Sequence, residues 1–493
     1  MSTDEAPHPV WREERLLIDG TLVPARGGGN FDNVNPATEQ VLGVAADAVS
    51  ADMEAAIGAA RRAFDQSTWS TDVAFRVRCL RQLSDAMTAH VDELRAMTVA
   101  EVGAPVALTY GPQLEAPIEG IGWVTDLAEA YQWTEELGVA KPFGIASRRT
   151  VHREAVGVVG AITPWNFPMQ INLAKVIPAL VAGNTVVLKP APDTPWTATL
   201  LGRLVVEQTD IPAGVLNVVT SSNHELGQQL ADDRRVDLVS FTGSTVTGRR
   251  VMASAAATIK RVFLELGGKS ATIVLDDADV AEAAGTTAFQ VMTHAGQGCA
   301  ITTRLVLPRA RLDEGIEAAV AMMGALTYGD PTDSTVMMGP LISERQRQRV
   351  LGYIETGQRE GATVAVGGGI PSHLPTGYFV EPTILIDVDP TSTVAQEEIF
   401  GPVLVVLAHD GDDDAVAIAN QSVYGLSGAV FGSIDRARAV AARMRTGTVS
   451  INGGLWYGPD VPFGGYKQSG IGREMGRAGF EEYLETKSTA EPA

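Results

Sequence analysis

Cysteine is nearly missing from this chain, which has two in 493 residues, Cys79 and Cys299. Two thiols cannot build a disulfide framework, and the start Met1-Ser2-Thr3-Asp4-Glu5 has neither a basic nor an apolar segment, so the expected compartment is the cytoplasm. Histidine is scarce as well. The seven, at 8, 90, 152, 224, 294, 373 and 409, show no ligand spacing, and the absence of HExxH and CxxC argues against a metal enzyme. Basic side chains are outnumbered: 38 Lys and Arg against 59 Asp and Glu give a formal charge of -21, and such a surface repels nucleic-acid phosphates and anionic lipid. Long apolar runs are also lacking. The most apolar region, Ala155 to Leu188, is broken by Pro164, Asn166, Pro168, Asn172, Lys175, Pro178 and Asn184, whereas a spanning helix needs about 20 apolar residues. Neither nucleic acid nor membrane is expected as a partner.

What is present is the composition of a globular protein, 45% hydrophobic with 51 glycines and 26 prolines. Residues 1–15 form a polar lead-in, and Leu16 to Val23 reads as a hairpin around Asp19-Gly20. From Ser50 the period changes. Met53, Ile57, Ala60 and Phe64 fall at helical spacing, Ser50 is the expected cap, and Asp52 and Glu54 suit the positive helix end. Helix continues to about Trp133, with Cys79 as a packed thiol beside Arg78, Leu80 and Arg81. From Arg149, apolar runs at Val156–Ile162, Thr185–Leu188, Leu216–Val219, Leu238–Phe241 and Val262–Leu266 alternate with helical segments. That alternation predicts a parallel, doubly wound sheet of the nucleotide-binding kind. It resumes after Ala271 with strand Thr272–Leu275, helix Val280–Met292, strand Arg304–Leu307, helix Leu312–Met323 and further units to Ser450-Ile451-Asn452, a second α/β domain. Gly367-Gly368-Gly369 and Pro371-Ser372-His373 read as surface loops, and Gly479 to Lys487 as a short mixed segment.

Two phosphate motifs fail on inspection. Gly268-Lys269-Ser270 would need glycine at position 263, which is Phe263; Gly243 to Gly248 is followed by Arg249-Arg250 in place of Lys and Ser/Thr. No G-x-G-x-x-G follows a strand. Phe241-Thr242-Gly243-Ser244-Thr245 nevertheless sits where a strand gives way to a helix: either a plain turn or a place where free N–H groups hold a pyrophosphate. Cys299, between Gly298 and Ala300, is either inert packing or a nucleophile. His294, five residues earlier, is either structural or its base. Glu265 before Leu266-Gly267-Gly268 and Asn166 within Pro164-Trp165-Asn166-Phe167-Pro168 each have a bland reading too, as a boundary carboxylate and a turn residue. Taken together they form a constellation. Cys299 would attack a carbonyl, Asn166 would donate to the oxyanion, and Glu265 would activate water beside a nucleotide-binding unit that holds a hydride acceptor.

PWNFP at 164–168, KP at 189–190, FTGST at 241–245, LELGGKS at 264–270, GQGC at 296–299, QEEIFGPV at 396–403 and PFGGYKQSGIGRE at 462–474 occur in this order. On these motifs the chain resembles the NAD(P)-dependent aldehyde dehydrogenase superfamily from about residue 16 to 488. The resemblance implies an α/β fold with a Rossmann-type coenzyme-binding domain (1–132 and 156–267), a second α/β catalytic domain (268–475) and a small β oligomerisation flap (133–155 and 476–493). It implies catalytic roles for Cys299, Glu265, Asn166 and, in proton movement, Lys175. It implies cofactor contacts from Ile162, Thr163, Pro164, Trp165, Lys189, Gly243, Ser244, Leu266, Gly267, Glu398 and Phe400, with no metal. Phe167, Ile171, Trp456, Tyr457 and Phe463 would line a substrate tunnel, with small Ala174 where some relatives carry a bulky aromatic.

These expectations amount to irreversible oxidation of a medium to large apolar or aromatic aldehyde through a Cys299 thioester, in a homodimer or homotetramer. The competing readings are an acylating, coenzyme A-dependent enzyme, an idle scaffold on the same fold, and a cysteine hydrolase with His294 as base. Two departures stand out. Pro192-Asp193 replaces the glutamate that often follows KPA and grips the ribose; NAD is expected first because Asp193 keeps a negative charge there, with NADP as the alternative. Ser221-Ser222-Asn223 stands where many members have a glycine-rich turn, so a differently shaped loop is expected.

Overall fold

The computed structural model describes residues 10–493. Residues 1–9, including His8 and most of the expected lead-in, lie outside the described residues. The hairpin forms as Leu16–Ile18 and Thr21–Val23, with Asp19 and Gly20 both at positive φ, the conformation a two-residue turn requires. A second hairpin, Asn30–Val34 with Val41–Ala46, follows; its half-polar strands gave no clean alternation.

The helix starting at 50 spans Ser50–Gln66, but Ser50 does not cap it. The N-cap is Val49, whose N–H donates to the buried Asp52 carboxylate at 3.0 Å. An acid one turn in reaches back more easily than a hydroxyl already inside the helix. Further helices at Val73–Ala89, Val91–Val102 and Glu115–Glu129 complete this half, and buried Cys79 has its thiol pushed up to about 11 by desolvation.

The first large sheet has eight strands. Its parallel centre runs Arg261–Glu265, Leu238–Thr242, Val158–Ile162, Thr185–Lys189, Leu216–Val218, and apolar clusters cover both faces. Sequence order reverses between Val158–Ile162 and Leu238–Thr242, which opens a crevice beyond their carboxyl ends, the position where such sheets bind ligands. The second sheet has seven strands around Thr383–Ile386, Val403–His409, Arg304–Pro308, Ala271–Val274 and Gly428–Phe431, packed in a core of its own. The sheets are tied together: Gly470–Ile471, from the later part of the chain, pairs with Arg261–Glu265 at the edge of the first.

A three-stranded sheet stands apart, made of Thr134–Ala140, Ser147–Ala155 and Leu484–Pro492. Helix Gly476–Glu481, grouped with this flap in the sequence-based division, packs elsewhere. Its Phe480 is buried in the core of the first sheet, with ring centroids 5.1 Å from Tyr131 and 5.9 Å from Trp133. Tyr483 and Leu484, which follow the helix, are buried in the same core. No helix among the described residues is long and apolar enough to cross a membrane.

Candidate active site

The turn from Val158–Ile162 into helix Pro168–Val181 is shaped by its prolines. Pro168 takes the first helical position, where a missing N–H costs nothing. Asn166, between them, is 3% exposed; its Nδ2 donates to the Gln297 carbonyl at 2.8 Å, and its own carbonyl accepts from Gln113 Nε2 at 2.9 Å. A carboxamide carries two N–H donors, so the second remains for a ligand.

Gln297 is bound in turn. Its Nε2 donates to the His294 and Pro340 carbonyls, and its Oε1 accepts from Ile342 N–H at 3.0 Å. This buried brace fixes the loop that ends in Cys299, a role invisible in the string GQGC. Gly296 is needed because a Cβ there would lie 2.0 Å from the Gly401 carbonyl oxygen, and Gly268 because one would lie 2.6 Å from the Cys299 carbonyl oxygen. The two glycines let three chain segments close around the thiol.

Cys299 is half-buried, and no partner among the described residues accepts its backbone N–H. Desolvation first, then the Glu265 and Glu398 carboxylates, push its thiol well above the usual range. Glu265, last residue of Arg261–Glu265, is buried with Oε1 unpartnered; desolvation and then Glu474 raise it strongly, against Lys175. Lys175 is fully buried, 2.6 Å from Glu474 Oε1 and 3.1 Å from Ser240 Oγ. Glu474 was quoted within a motif but given no role; only folding places it, 299 residues from its partner.

Two cavities meet at this point. One, about 490 Å3, is lined by Pro164, Trp165, Asn166, Gly243, Ser244, Glu265, Leu266, Gly267, Cys299, Glu398 and Phe400, all expected, and by Thr242, Arg345, Gln346 and Arg349, which were not. Ile162, Thr163 and Lys189 lie at the neighbouring strand ends without lining it. Thr163 Oγ1 donates to Asn172 at 2.7 Å, and buried Lys189 is lowered to about 8 by desolvation, against Asp193 and Asp47. Ser244 caps helix Thr245–Ala256 by accepting from Thr247 N–H at 3.2 Å, so the helix opens towards the crevice with uncommitted N–H groups. Gly268 N–H donates to Glu398 Oε1 at 2.9 Å, and Gln346 and Arg349 hold the Phe400 and Glu398 carbonyls at 2.7 Å each. Phe400 stands edge-on to Trp165 at 5.3 Å.

The surroundings suit a dinucleotide. A helix N-terminus faces the crevice, carboxylate Glu398 stands at hydrogen-bond reach, and a Cβ at Gly267 would fill space 2.4 Å from Glu398 Oε2. Half-buried Asp193 is raised by desolvation, against Arg345. Ser221 and Ser222, in the departing loop, donate to Asp47 at 2.7–2.9 Å and hold its carboxylate low although burial alone would raise it.

The other cavity, about 310 Å3, shares Asn166, Glu265 and Cys299 with the first, and Phe167, Ile171, Trp456, Tyr457 and Phe463 all line it. Trp456 and Phe463 stack at 5.4 Å with rings 2° from parallel. Ala174 does not line it; it faces a neighbouring cavity. His294 lines neither. It is buried with both ring nitrogens unpartnered, edge-on to Phe167 at 5.1 Å, and desolvation lowers it to about 4, so it is a neutral packing group. Among the described residues no group of three His, Cys, Asp or Glu side chains is placed to hold a metal ion.

Comparison with known proteins agrees along the whole chain. A profile described as "Aldehyde dehydrogenase family" matches residues 23–489. A 3-succinoylsemialdehyde-pyridine dehydrogenase of a Pseudomonas species is 43% identical over 96% of this chain and 97% of its own. A Mycobacterium tuberculosis aldehyde dehydrogenase complexed with NAD+ superposes with a TM-score of 0.93 at 40% identity, covering 97% of each chain. A mutant of aldehyde dehydrogenase C from Pseudomonas syringae, solved with NAD+ and octanal, superposes at 0.92 with 38% identity, covering 99% of this chain and 98% of that one.

Proposed function

The chain belongs to the aldehyde dehydrogenase family, an NAD-dependent group of aldehyde-oxidising enzymes, and from that premise we propose which residues perform the oxidation and on what aldehyde. The observation that carries the assignment is the meeting of two unlike cavities at one thiol. The aldehyde enters through the apolar cavity, and Cys299 Sγ bonds to its carbonyl carbon while the thiol proton passes to Glu265. The oxyanion accepts from the free Asn166 N–H and the Cys299 backbone N–H. Ser244, Glu398 and the Trp165–Phe400 pair would hold NAD, whose nicotinamide would supply the positive charge that favours the thiolate and the acceptor for the hydride. Cys299 is left as a thioester. Glu265 then removes a proton from water, the hydroxide adds to the thioester carbon, and the C–S bond breaks to give the acid and free Cys299. Lys175, paired with Glu474, carries protons away from Glu265.

The substrate we propose is a medium to large apolar or aromatic aldehyde. Aromatic and aliphatic side chains line the tunnel together with uncharged polar ones such as Gln170, Gln290 and Thr302, no Lys or Arg is there to pair an anionic tail, and the carboxylates Glu265 and Glu474 make the lining negative. The relative named for 3-succinoylsemialdehyde-pyridine and the neighbour solved with octanal agree with an apolar or aromatic tail, whereas neighbours of the same fold are named for betaine aldehyde, which is cationic. NAD is preferred over NADP, and Glu265 sends the thioester to water in place of coenzyme A. A free nucleophilic thiol suits a reducing compartment, the cytoplasm. An absorbance assay of nicotinamide reduction across an aldehyde panel, with both cofactors and with coenzyme A added, tests all of this. Benzaldehyde and octanal are expected to exceed succinic semialdehyde and betaine aldehyde in kcat/KM; the reverse order, a clear NADP preference, or acyl-CoA formation overturns the corresponding part.

A further inference from the structure

Hydroxyl and amide groups are set among the aromatic side chains of the tunnel, and most of the hydroxyls are already committed. Thr293 Oγ1 donates to the Phe289 carbonyl at 3.2 Å, Ser450 Oγ to the Gly454 carbonyl at 2.7 Å, and Ser427 Oγ to the Ala300 carbonyl. Gln290, near the end of helix Val280–Met292, differs from these. Its Oε1 accepts from Thr302 Oγ1 at 3.2 Å, while its Nε2 donates to no group among the described residues.

The orientation of that amide follows from the hydroxyl behind it. Thr272, on strand Ala271–Val274, is fully buried, and Thr302 Oγ1 at 2.9 Å is the one partner of its hydroxyl among the described residues. When Thr272 donates, Thr302 accepts, and the Thr302 proton goes on to the Gln290 oxygen. In the reverse order Gln290 would donate to Thr302 and Thr302 to Thr272, which strands the Thr272 proton unpaired in the core, and a buried donor without an acceptor is the costlier arrangement. The chain therefore runs from core to tunnel. It holds the amide oxygen inward and turns the two N–H donors of the amide to the cavity, where only a group with a lone pair can answer them.

Resting on the aldehyde reading above, we propose that Gln290 is a specificity-determining residue that donates to a hydrogen-bond acceptor on the tail of the aldehyde, a ketone or ether oxygen or a ring nitrogen, with Thr302 and Thr272 as the residues that position it. The substrate class narrows to an apolar or aromatic aldehyde with an acceptor along its tail. Gln290 is exposed to the cavity, so the acceptor replaces water there, and the advantage is about three- to tenfold, the range of a neutral hydrogen bond.

The test walks a single ketone along nonanal, from carbon 4 to carbon 7, and reads the ratio of kcat/KM for each oxononanal over nonanal. Gln290→Met keeps the length of the side chain and removes both donors. At one or more carbons the wild-type ratio is expected to exceed that of Gln290→Met by about three- to tenfold; ratios within about twofold at every carbon overturn the proposal. Thr302→Val, which frees the amide to turn, should lower the ratio at the same carbon and Thr302→Ser should restore it, whereas a ratio unmoved by Thr302→Val removes the positioning role. If the wild type oxidises none of these aldehydes, the aldehyde reading itself fails, and binding judges Gln290 separately. By titration of tryptophan fluorescence, Cys299→Ala protein should then favour at least one oxononanal over nonanal about threefold more than the same protein with Gln290→Met added. Equal preferences overturn the proposal.

Discussion

A thiol set between carboxylates in a desolvated cleft resists ionisation, and that governs how Cys299 behaves on its own. Its pKa is raised, so the reactive thiolate is scarce at neutral pH and grows as pH rises towards it. Inactivation of the NAD-free protein by iodoacetamide should therefore accelerate about tenfold per pH unit from 7 to 9 without levelling off; a plateau below pH 8 would contradict the raised value. Glu265→Gln keeps the shape of the site and removes the base. It should slow turnover by about 10²-fold or more with no burst of reduced nicotinamide, because the same carboxylate takes the thiol proton before the hydride leaves and the water proton after it; a full burst would show that another group takes the thiol proton. His294→Ala, by contrast, should leave kcat within a few-fold, since a buried neutral imidazole that lines neither cavity does not reach the substrate. At this scale residue type carried most of the information. A cysteine between small residues and a carboxylate ahead of two glycines announce chemistry, but Gln297 and Glu474 look ordinary until their partners, distant in sequence, are known.

Elements are joined here by single buried polar groups. Helix Trp196–Gln208 begins without a side-chain cap of its own; Glu101, on helix Val91–Val102, accepts from Trp196 N–H at 2.7 Å and Thr197 N–H at 3.0 Å and also binds Thr197 Oγ1 and Asn33. Glu101→Ala should cost about 2 kcal/mol or more, because the first N–H groups of the helix lose a carboxylate inside the core, seen as a lower denaturation midpoint. Lys175–Glu474 ties helix Pro168–Val181 to the loop that follows the second sheet. Lys175→Met would leave a buried carboxylate unpaired and is expected to destabilise by about 3–5 kcal/mol, with Lys175→Met/Glu474→Gln recovering part of the loss in denaturant melts. Strands and long helices followed from apolar period to within a residue or two, as at Leu238–Thr242 and Val280–Met292. The cap at Asp52 and the hairpin Asn30–Val34 with Val41–Ala46 did not, because caps and weakly patterned strands depend on what they pack against.

For the whole molecule, strand Thr134–Ala140 of the three-stranded sheet exposes Leu137 and Val139, and the turn that follows it exposes Phe143 and Ile145, about half or more of each, Phe143 entirely. We take this edge as the contact between copies of the chain. Phe143→Asp with Ile145→Asp should shift the protein to a smaller species by sedimentation, and an unchanged mass would rule that edge out. The sequence by itself determined the class of fold and, through the family its motifs resemble, the reaction class, and it nominated Cys299, Glu265 and Asn166 as the reacting groups, because apolar period is a local property and catalysis demands particular residue types at motif positions. The tertiary structure alone decided that Glu474 answers Lys175, that Gln297 braces the nucleophile loop, that Phe480 pulls its helix into the first core, and that Ala174 opens a space beside the tunnel and not within it. Each of those depends on which surfaces meet after the chain has crossed from one sheet to the other, and no string of neighbours along the chain encodes that distance.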